Sequence, residues 1–214
     1  MLAAVAAIDA ALYRGETDPA ELVRAFEAEH RWRGSTFARN ALKAADGRAE
    51  SPTETWARLA VAELAPGHEL QFEVYDERGT FVGRADGGFP LLGVIWEYDG
   101  QGKYEELRPP GVTKEQVLAA QMLRQGAMAR LGWCVVRCAS DVLADKERFR
   151  REVGSAVDLS RRPGWRPPRG SFVCPPPVRV EVRDPIQWAA AQREERYERW
   201  QRRKARLNWS GSWA

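Results

Sequence analysis

Apolar and polar positions divide the chain into segments of changing period. Leu2 to Tyr13 is apolar on most sides and ends before Gly15, which predicts a packed helix. Asp18-Pro19 offers a cap and a first-turn proline, and Leu22, Val23 and Phe26 follow at helical spacing. A third helix is predicted from Ser35 to Ala45, closed by Asp46-Gly47. Ser51-Pro52-Thr53-Glu54 opens a fourth, with Trp56, Leu59, Ala60 and Leu64 inward and Pro66-Gly67 at its end. The period then shortens. Leu70, Phe72 and Val74 alternate with polar residues, as in a half-buried strand. Asp76 to Gly79 is a turn, and Phe81 to Asp86 is the returning strand. After Gly87 to Pro90, Leu91 to Trp96 is a continuous apolar run, which predicts a strand covered on both faces. Thr113 caps a helix over Lys114 to Leu131, and Gly132 closes it. Trp133 to Cys138 predicts another buried strand, and a helix follows from about Val142 to Val153.

The order is helix, three strands, helix, strand, helix. The helix crossover before the final strand sets it parallel to one of the earlier strands, so the expectation is an α/β domain with a mixed sheet flanked by helices. That domain is expected over 51–157, after a helical segment over 1–50. Residues 158–214 form an extension. It contains a basic, proline-rich linker from Arg161 to Gly170, a short strand from Val178 to Val182, and a polar helix from Asp184-Pro185 to about Leu207.

Composition adds three limits. At 214 residues and 44% hydrophobic content the chain can build a core. No apolar run approaches the ~20 residues of a membrane span, and the Ala-rich start contains Asp9 with no basic region before it, so it is read as a helix and not a signal peptide. Three cysteines without framework spacing and two scattered histidines point to a cytoplasmic protein and away from a zinc site.

The net charge of +3 is unevenly spread, because 13 Lys and Arg face only 6 Asp and Glu from Asp158 onward. Arg196, Arg199, Arg202, Arg203 and Lys204, with Trp200 and Trp209 among them, suit phosphate contact and base stacking. Glu195 to Arg199 and Glu198 to Arg202 also read as intrahelical ion pairs of a solvated helix. A protein partner for this extension is the alternative, favoured by Trp209 and Trp213 near the end of the sequence.

The candidate chemistry lies at strand ends. Asp86 ends one predicted strand and Glu97 follows the next, so a hairpin brings two carboxylates side by side. Hard cations such as Mg²⁺ take oxygen ligands of this kind, with water and phosphate completing the shell. Such a metal activates water and stabilises charge on a phosphate. Glu54 has a second reading, since Ser51-x-x-Glu54 is a capping box in which the carboxylate bonds back to the Ser51 amide.

Four stretches carry a family resemblance: Ser51-Pro52-Thr53-Glu54, Gly83-Arg84-Ala85-Asp86, Trp96-Glu97-Tyr98-Asp99-Gly100 with Lys103-Tyr104, and Leu131 to Arg137. Together they resemble the very-short-patch-repair-like endonuclease domain of actinobacterial proteins, many of them AbiEi-type members of toxin–antitoxin systems. Leu2 to Ala45 is similar to the helical segment that precedes that domain, and the family's winged helix has no counterpart. The resemblance implies a restriction-endonuclease-like PD-(D/E)xK core and a metal-dependent DNA endonuclease or nickase using Mg²⁺ or Mn²⁺. It implies Asp86 and Glu97 as metal ligands, Glu54 as support on the first core helix, and Lys103 as the cation that stabilises phosphate charge. Asp99 stands where many such nucleases have lysine, and Asp99 and Gln121 are possible supports. Where the family carries an acidic–basic pair on the next helix, this chain has Gln121-Met122 followed by Arg124 and Gln125. That departure keeps open a catalytically degenerate fold that binds nucleic acid without cutting it.

Overall fold

The computed structural model describes residues 1–29, 32–99, 113–139 and 146–209. By contacts the chain divides into Met1–Val180 and Glu181–Ala214. The first unit contains the helices α1 (Leu2–Tyr13), α2 (Pro19–Glu29), α3 (Ser35–Ala44) and α4 (Pro52–Val61). Five strands follow: β1 (Glu69–Leu70), β2 (Glu73–Tyr75), β3 (Phe81–Arg84), β4 (Gly87–Phe89) and β5 (Val94–Asp99). Then come α5 (Lys114–Leu131), β6 (Cys134–Ala139), α6 (Lys146–Ser160) and β7 (Ser171–Val173). The second unit is built on α7 (Pro185–Trp209).

The strands form two sheets, ordered β1-β4-β5-β6 and β3-β2-β7. In the first, β1, β4 and β5 run antiparallel and β6 pairs with β5 in parallel, the mixed sheet expected of a helical crossover. The fold is therefore α/β, with helices on both sides. One core joins α4 and α6 to one face through Trp96, Phe89, Leu70, Ala57 and Phe149. The other packs Met128 of α5 against Ile95, Phe72, Val74 and Trp133.

The helix signals act locally as expected. Ser51 Oγ accepts from the Glu54 amide at the start of α4. Thr113 and Gln116 form a complete capping box on α5, whose bounds match the predicted ones. In the second unit Asp184 Oδ1 accepts from the Ile186 and Gln187 amides and caps α7.

Four expectations need correction. The alternating run Leu70–Val74 is two short strands, broken at Gln71, the one described non-glycine residue with positive φ, at 53°. The returning strand is likewise broken, so Asp86 lies between β3 and β4. Gly87–Phe89 is itself a strand, and the run from Leu91 splits into a 3-10 turn (Pro90–Leu92) and β5. Near Val178 there is an isolated bridge between Arg179 and Asp46, and the added strand is Ser171–Val173, which pairs with β2 directly after the stretch read as linker.

A buried ion network ties the N-terminal helices to this domain. Asp9 on α1 is inaccessible and accepts from Arg58 Nη2 at 2.7 Å, Thr55 Oγ1 at 2.7 Å and the Asp46 amide at 2.8 Å. Burial pushes the Asp9 carboxyl above its ordinary pKa, against the Arg58 charge and these hydrogen bonds. Asp46 pairs with Arg48 at 2.8 Å, and Arg48 reaches Glu69 of β1 at 2.7 Å. Removing one partner from a buried pair leaves an uncompensated charge.

His68, just before β1, lies against Trp96 and Phe89, with ring centroids at 5.9 Å and 5.2 Å. Its Nε2 accepts from Trp96 Nε1 at 3.1 Å, which requires an unprotonated nitrogen. Burial, then the Arg58 and Arg48 charges, lower its pKa from 6.5 to about 3. The folded value lies below the unfolded one. Acid therefore protonates the unfolded chain first, and stability is lost as pH falls from about 6.5 towards about 3. Between pH 6.5 and 5 the loss should approach about 1 kcal/mol per pH unit. Urea unfolding across that window should show the slope in the parent and a clearly flatter one in His68→Gln; equal slopes would contradict this role.

Candidate functional site

The two breaks just described are one feature. The Gln71 amide donates to the Asp86 carbonyl at 3.2 Å, and the Ala85 amide donates to the Phe72 carbonyl at 2.9 Å. The hairpin β1-β2/β3-β4 thus passes from one sheet into the other at Gln71 and Asp86. Residues two apart on a regular strand share a face. Here Leu70 joins the core under α4 and α6, while Phe72 joins the one under α5. A left-handed residue between them makes that exchange possible.

This corner aligns the site. The register pairing Gly87 with Trp96 puts Asp86 beside Glu97 one step on, and β6 places Arg137 opposite Glu97. Gln71, Asp86, Glu97 and Arg137 therefore form a row across the sheet. Asp86 Oδ2 accepts from the Tyr98 amide at 2.8 Å, which anchors the carboxylate to β5. Its Oδ1 accepts from no described group. The sequence expectation that Asp86 and Glu97 stand side by side holds at the level of register, although Asp86 is a corner residue and Glu97 lies within β5.

Glu97 is 3% exposed and faces α5. Its Oε1 accepts from Arg124 Nη2 at 3.3 Å, and its Oε2 from Gln125 Nε2 at 3.0 Å. Gly83 gives Arg124 its path, because a Cβ there would lie 2.6 Å from Arg124 Cδ. Arg124 Nε is buried without an acceptor among the described residues. Gln121 is half-buried on the same helix.

Glu54 is 1% exposed at the start of α4. Its Oε1 accepts from the Ser51 hydroxyl at 2.9 Å. Its Oε2 accepts from the Glu50 amide and from Gln71 Nε2, both at 2.9 Å. The capping box expected at Ser51 is thus altered: Glu54 bonds the Ser51 hydroxyl and the preceding amide, not the Ser51 amide. Because Nε2 of Gln71 is committed to Glu54, Gln71 Oε1 faces elsewhere, buried and without a donor among the described residues.

These contacts decide how a metal fits. Among the described residues no three His, Cys, Asp or Glu side chains form a metal-binding group. Among the described residues Glu54 is engaged with the α4 start and the Gln71 corner and does not group with Asp86 and Glu97. Asp86 and Glu97 remain. Both are hard oxygen donors, one with a spare oxygen, and Mg²⁺ needs only one or two carboxylates beside water and phosphate. That donor set fits Mg²⁺ or Mn²⁺. Lys103 lies outside the described residues, and Asp99 is placed only as the last residue of β5.

Sequence reasoning missed Gln71 and gave Arg124 and Gln125 no role at the site. Gln71 reads as an ordinary polar position in an alternating strand, and nothing in its neighbours signals a left-handed backbone. Arg124 and Gln125 were legible as polar positions on an otherwise apolar helix face, one turn from Met128.

No protein-family profile matches the chain, and no solved structure matches it. Two curated relatives are similar to it, the uncharacterized proteins MT2308 and Rv2248 from two strains of Mycobacterium tuberculosis. Each is 29% identical over 167 residues, covering 75% of this chain and 57% of the relative. The chain thus spans little more than half the length of these relatives.

The saturation of Glu54 generates a stability prediction. In Glu54→Leu the Glu50 amide and Gln71 Nε2 lose their acceptor, at a cost of about 1–3 kcal/mol. Urea unfolding without metal should show that loss. An unchanged midpoint would mean that Glu54 does not hold the corner.

Proposed function

We propose that the chain is a metal-dependent DNA endonuclease or nickase whose site is centred on Asp86 and Glu97. The observation that carries this reading is their adjacency one step beyond the Gly87–Trp96 pair of β4 and β5, with one Asp86 oxygen free of protein donors among the described residues. Mg²⁺ or Mn²⁺ held by these two carboxylates supplies a Lewis acid for phosphodiester hydrolysis. The chain's own residues do the positioning. The Tyr98 amide fixes Asp86, and Gln125 orients Glu97. Arg124 places a guanidinium beside Glu97, with its Nε still lacking an acceptor among the described residues. A phosphate oxygen is an acceptor that the exposed part of this guanidinium suits. Arg124 is therefore a further candidate, in addition to Lys103, for the cation that stabilises phosphate charge. Glu54 acts indirectly, by holding Gln71 and with it the corner that carries Asp86.

One observation favours a second reading. Glu97 already has a donor on each oxygen, and its Arg124 partner offsets its charge without metal. A degenerate nuclease fold that binds nucleic acid without cutting it is consistent with that pairing. Among the described residues no helix is long and apolar enough to cross a membrane.

Plasmid and single-strand cleavage with Mg²⁺ or Mn²⁺ tests the proposal. Cleavage by the parent should fall at least about 100-fold in Asp86→Asn and Glu97→Gln. In the same variants the calorimetric Mg²⁺ or Mn²⁺ binding of the parent should disappear. Metal binding without cleavage supports the degenerate reading. Cleavage at parental rate in both variants refutes the assigned site.

A further inference from the structure

The second unit offers a surface with a defined charge pattern. Helix α7 sorts its charges by face. Glu195 pairs with Arg199 at 3.5 Å, and Glu198 pairs with Arg202 at 3.0 Å, each four residues apart. With Glu194 these acids occupy one side of the helix. Arg193, Arg196, Arg203 and Lys204 recur with Tyr197 and Trp200 at i, i+3, i+4, i+7, i+10 and i+11, a single stripe on the other side. None of these four cations has a carboxylate partner among the described residues.

The stripe also carries aromatic surface. Tyr197 and Trp200 stack with centroids 5.9 Å apart and planes 29° apart. Lys204 Nζ lies 5.0 Å from the Trp200 ring centre. Both rings are more than half exposed, Tyr197 at 60% and Trp200 at 52%. Exposed aromatics on a folded surface cost hydration unless something covers them. Here the surroundings are cationic and the acids are turned away, so the complementary occupant is an anionic polymer with flat apolar faces. A DNA duplex keeps its base faces stacked inside. A single strand offers base faces and phosphates together.

We propose that the Tyr197–Trp200 stripe of α7 binds single-stranded DNA, with Arg193, Arg196, Arg203 and Lys204 on phosphates and the two rings on bases. From Arg193 to Lys204 the stripe is about 17 Å long, enough for several contacts along one strand. The choice of DNA over RNA rests on the cleavage reading above; the single-strand preference does not. The proposal also divides the five cations expected from sequence. Arg196, Arg203 and Lys204 belong to the binding face, whereas Arg199 and Arg202 are committed to intrahelical pairs.

Fluorescence anisotropy of a labelled oligothymidylate against the full chain tests this, in EDTA so that the proposed metal site contributes nothing. Trp200→Ala should weaken binding roughly five- to 100-fold. The double variant Arg196→Gln/Arg203→Gln should weaken it at least about tenfold and reduce the salt slope by about 1.4. Arg199→Gln/Arg202→Gln, which changes net charge equally, should stay within about threefold of the parent. Circular dichroism confirms that each variant keeps its helix. The proposal is overturned by equal losses in the two double variants, by a duplex or an RNA strand binding as tightly as the DNA strand, or by no binding at low salt. Since the readout is binding without metal, its failure is separable from a failure of the cleavage reading.

Discussion

The described site depends on one backbone constraint, the corner at Gln71 and Asp86. A hairpin that stayed regular would keep Leu70 and Phe72 on one face and lay β1 to β4 in a single sheet. The left-handed φ of Gln71 breaks that regularity, and the two apolar neighbours enter different cores. For a glutamine such a conformation is unfavourable in isolation. It persists because three things hold it: Leu70 and Phe72 are both inaccessible, the Gln71 amide bonds Asp86, and the side chain is gripped by Glu54. Glu54 is therefore the keystone of a shape, and its own oxygens are fixed by Ser51 and the Glu50 amide.

The corner in turn rests on a frame that reaches back to the N-terminus. Arg58, one turn after Glu54 on α4, is held by Asp9 of α1, and Asp46 and Arg48 lead from there to Glu69 of β1. Buried pairs of this kind add little stability over an apolar substitute, but they are intolerant of partial loss and specify one arrangement of the groups they join. The arrangement here sets α4 against β1, the two elements between which the Glu54–Gln71 bond is made. That is a physical reason for the helical segment over 1–50 to be more than an appendage, since its carboxylate terminates the network.

Much of this was legible in the sequence, and what was not has definite causes. Helix bounds could be read where a cap names itself: Leu2–Tyr13 before Gly15, Thr113 ahead of Lys114–Leu131, Asp184 ahead of α7. That the last strand runs parallel to an earlier one followed from the crossover, and the structure makes that partner β5. Periodicity failed at Gln71 and Asp86 because alternation describes side-chain polarity and carries no information on a change of sheet. It failed at Gly87–Phe89 because two glycines and a proline resemble a loop; in fact the strand needs glycine at 87, where a Cβ would lie 2.2 Å from the Trp96 ring. Candidate carboxylates were legible as residue types at strand ends. Their inequality was not, because it is decided by donors from distant parts of the chain.

That inequality bears on how the site divides its work. Among the described residues Glu54 accepts from the Ser51 hydroxyl, the Glu50 amide and Gln71 Nε2, so withdrawing it to bind a ligand would take the acceptor from two N–H groups of the scaffold. Glu97 is different in kind. Its donors are two long side chains of α5, and Arg124 is 40% exposed with a contact of 3.3 Å, a length at which a charge-assisted bond is weak. Under the reading proposed above, Arg124 is the partner that would leave Glu97 for a cation and turn its guanidinium to a phosphate. Asp86 sits between the two, with one oxygen spent on Tyr98 and the other without a donor among the described residues. A carboxylate that builds the corner, one that is half committed, and one whose partner is displaceable make a graded set. The gradient runs from α4 towards α5, and under the proposed reading metal and substrate would meet it at its α5 end.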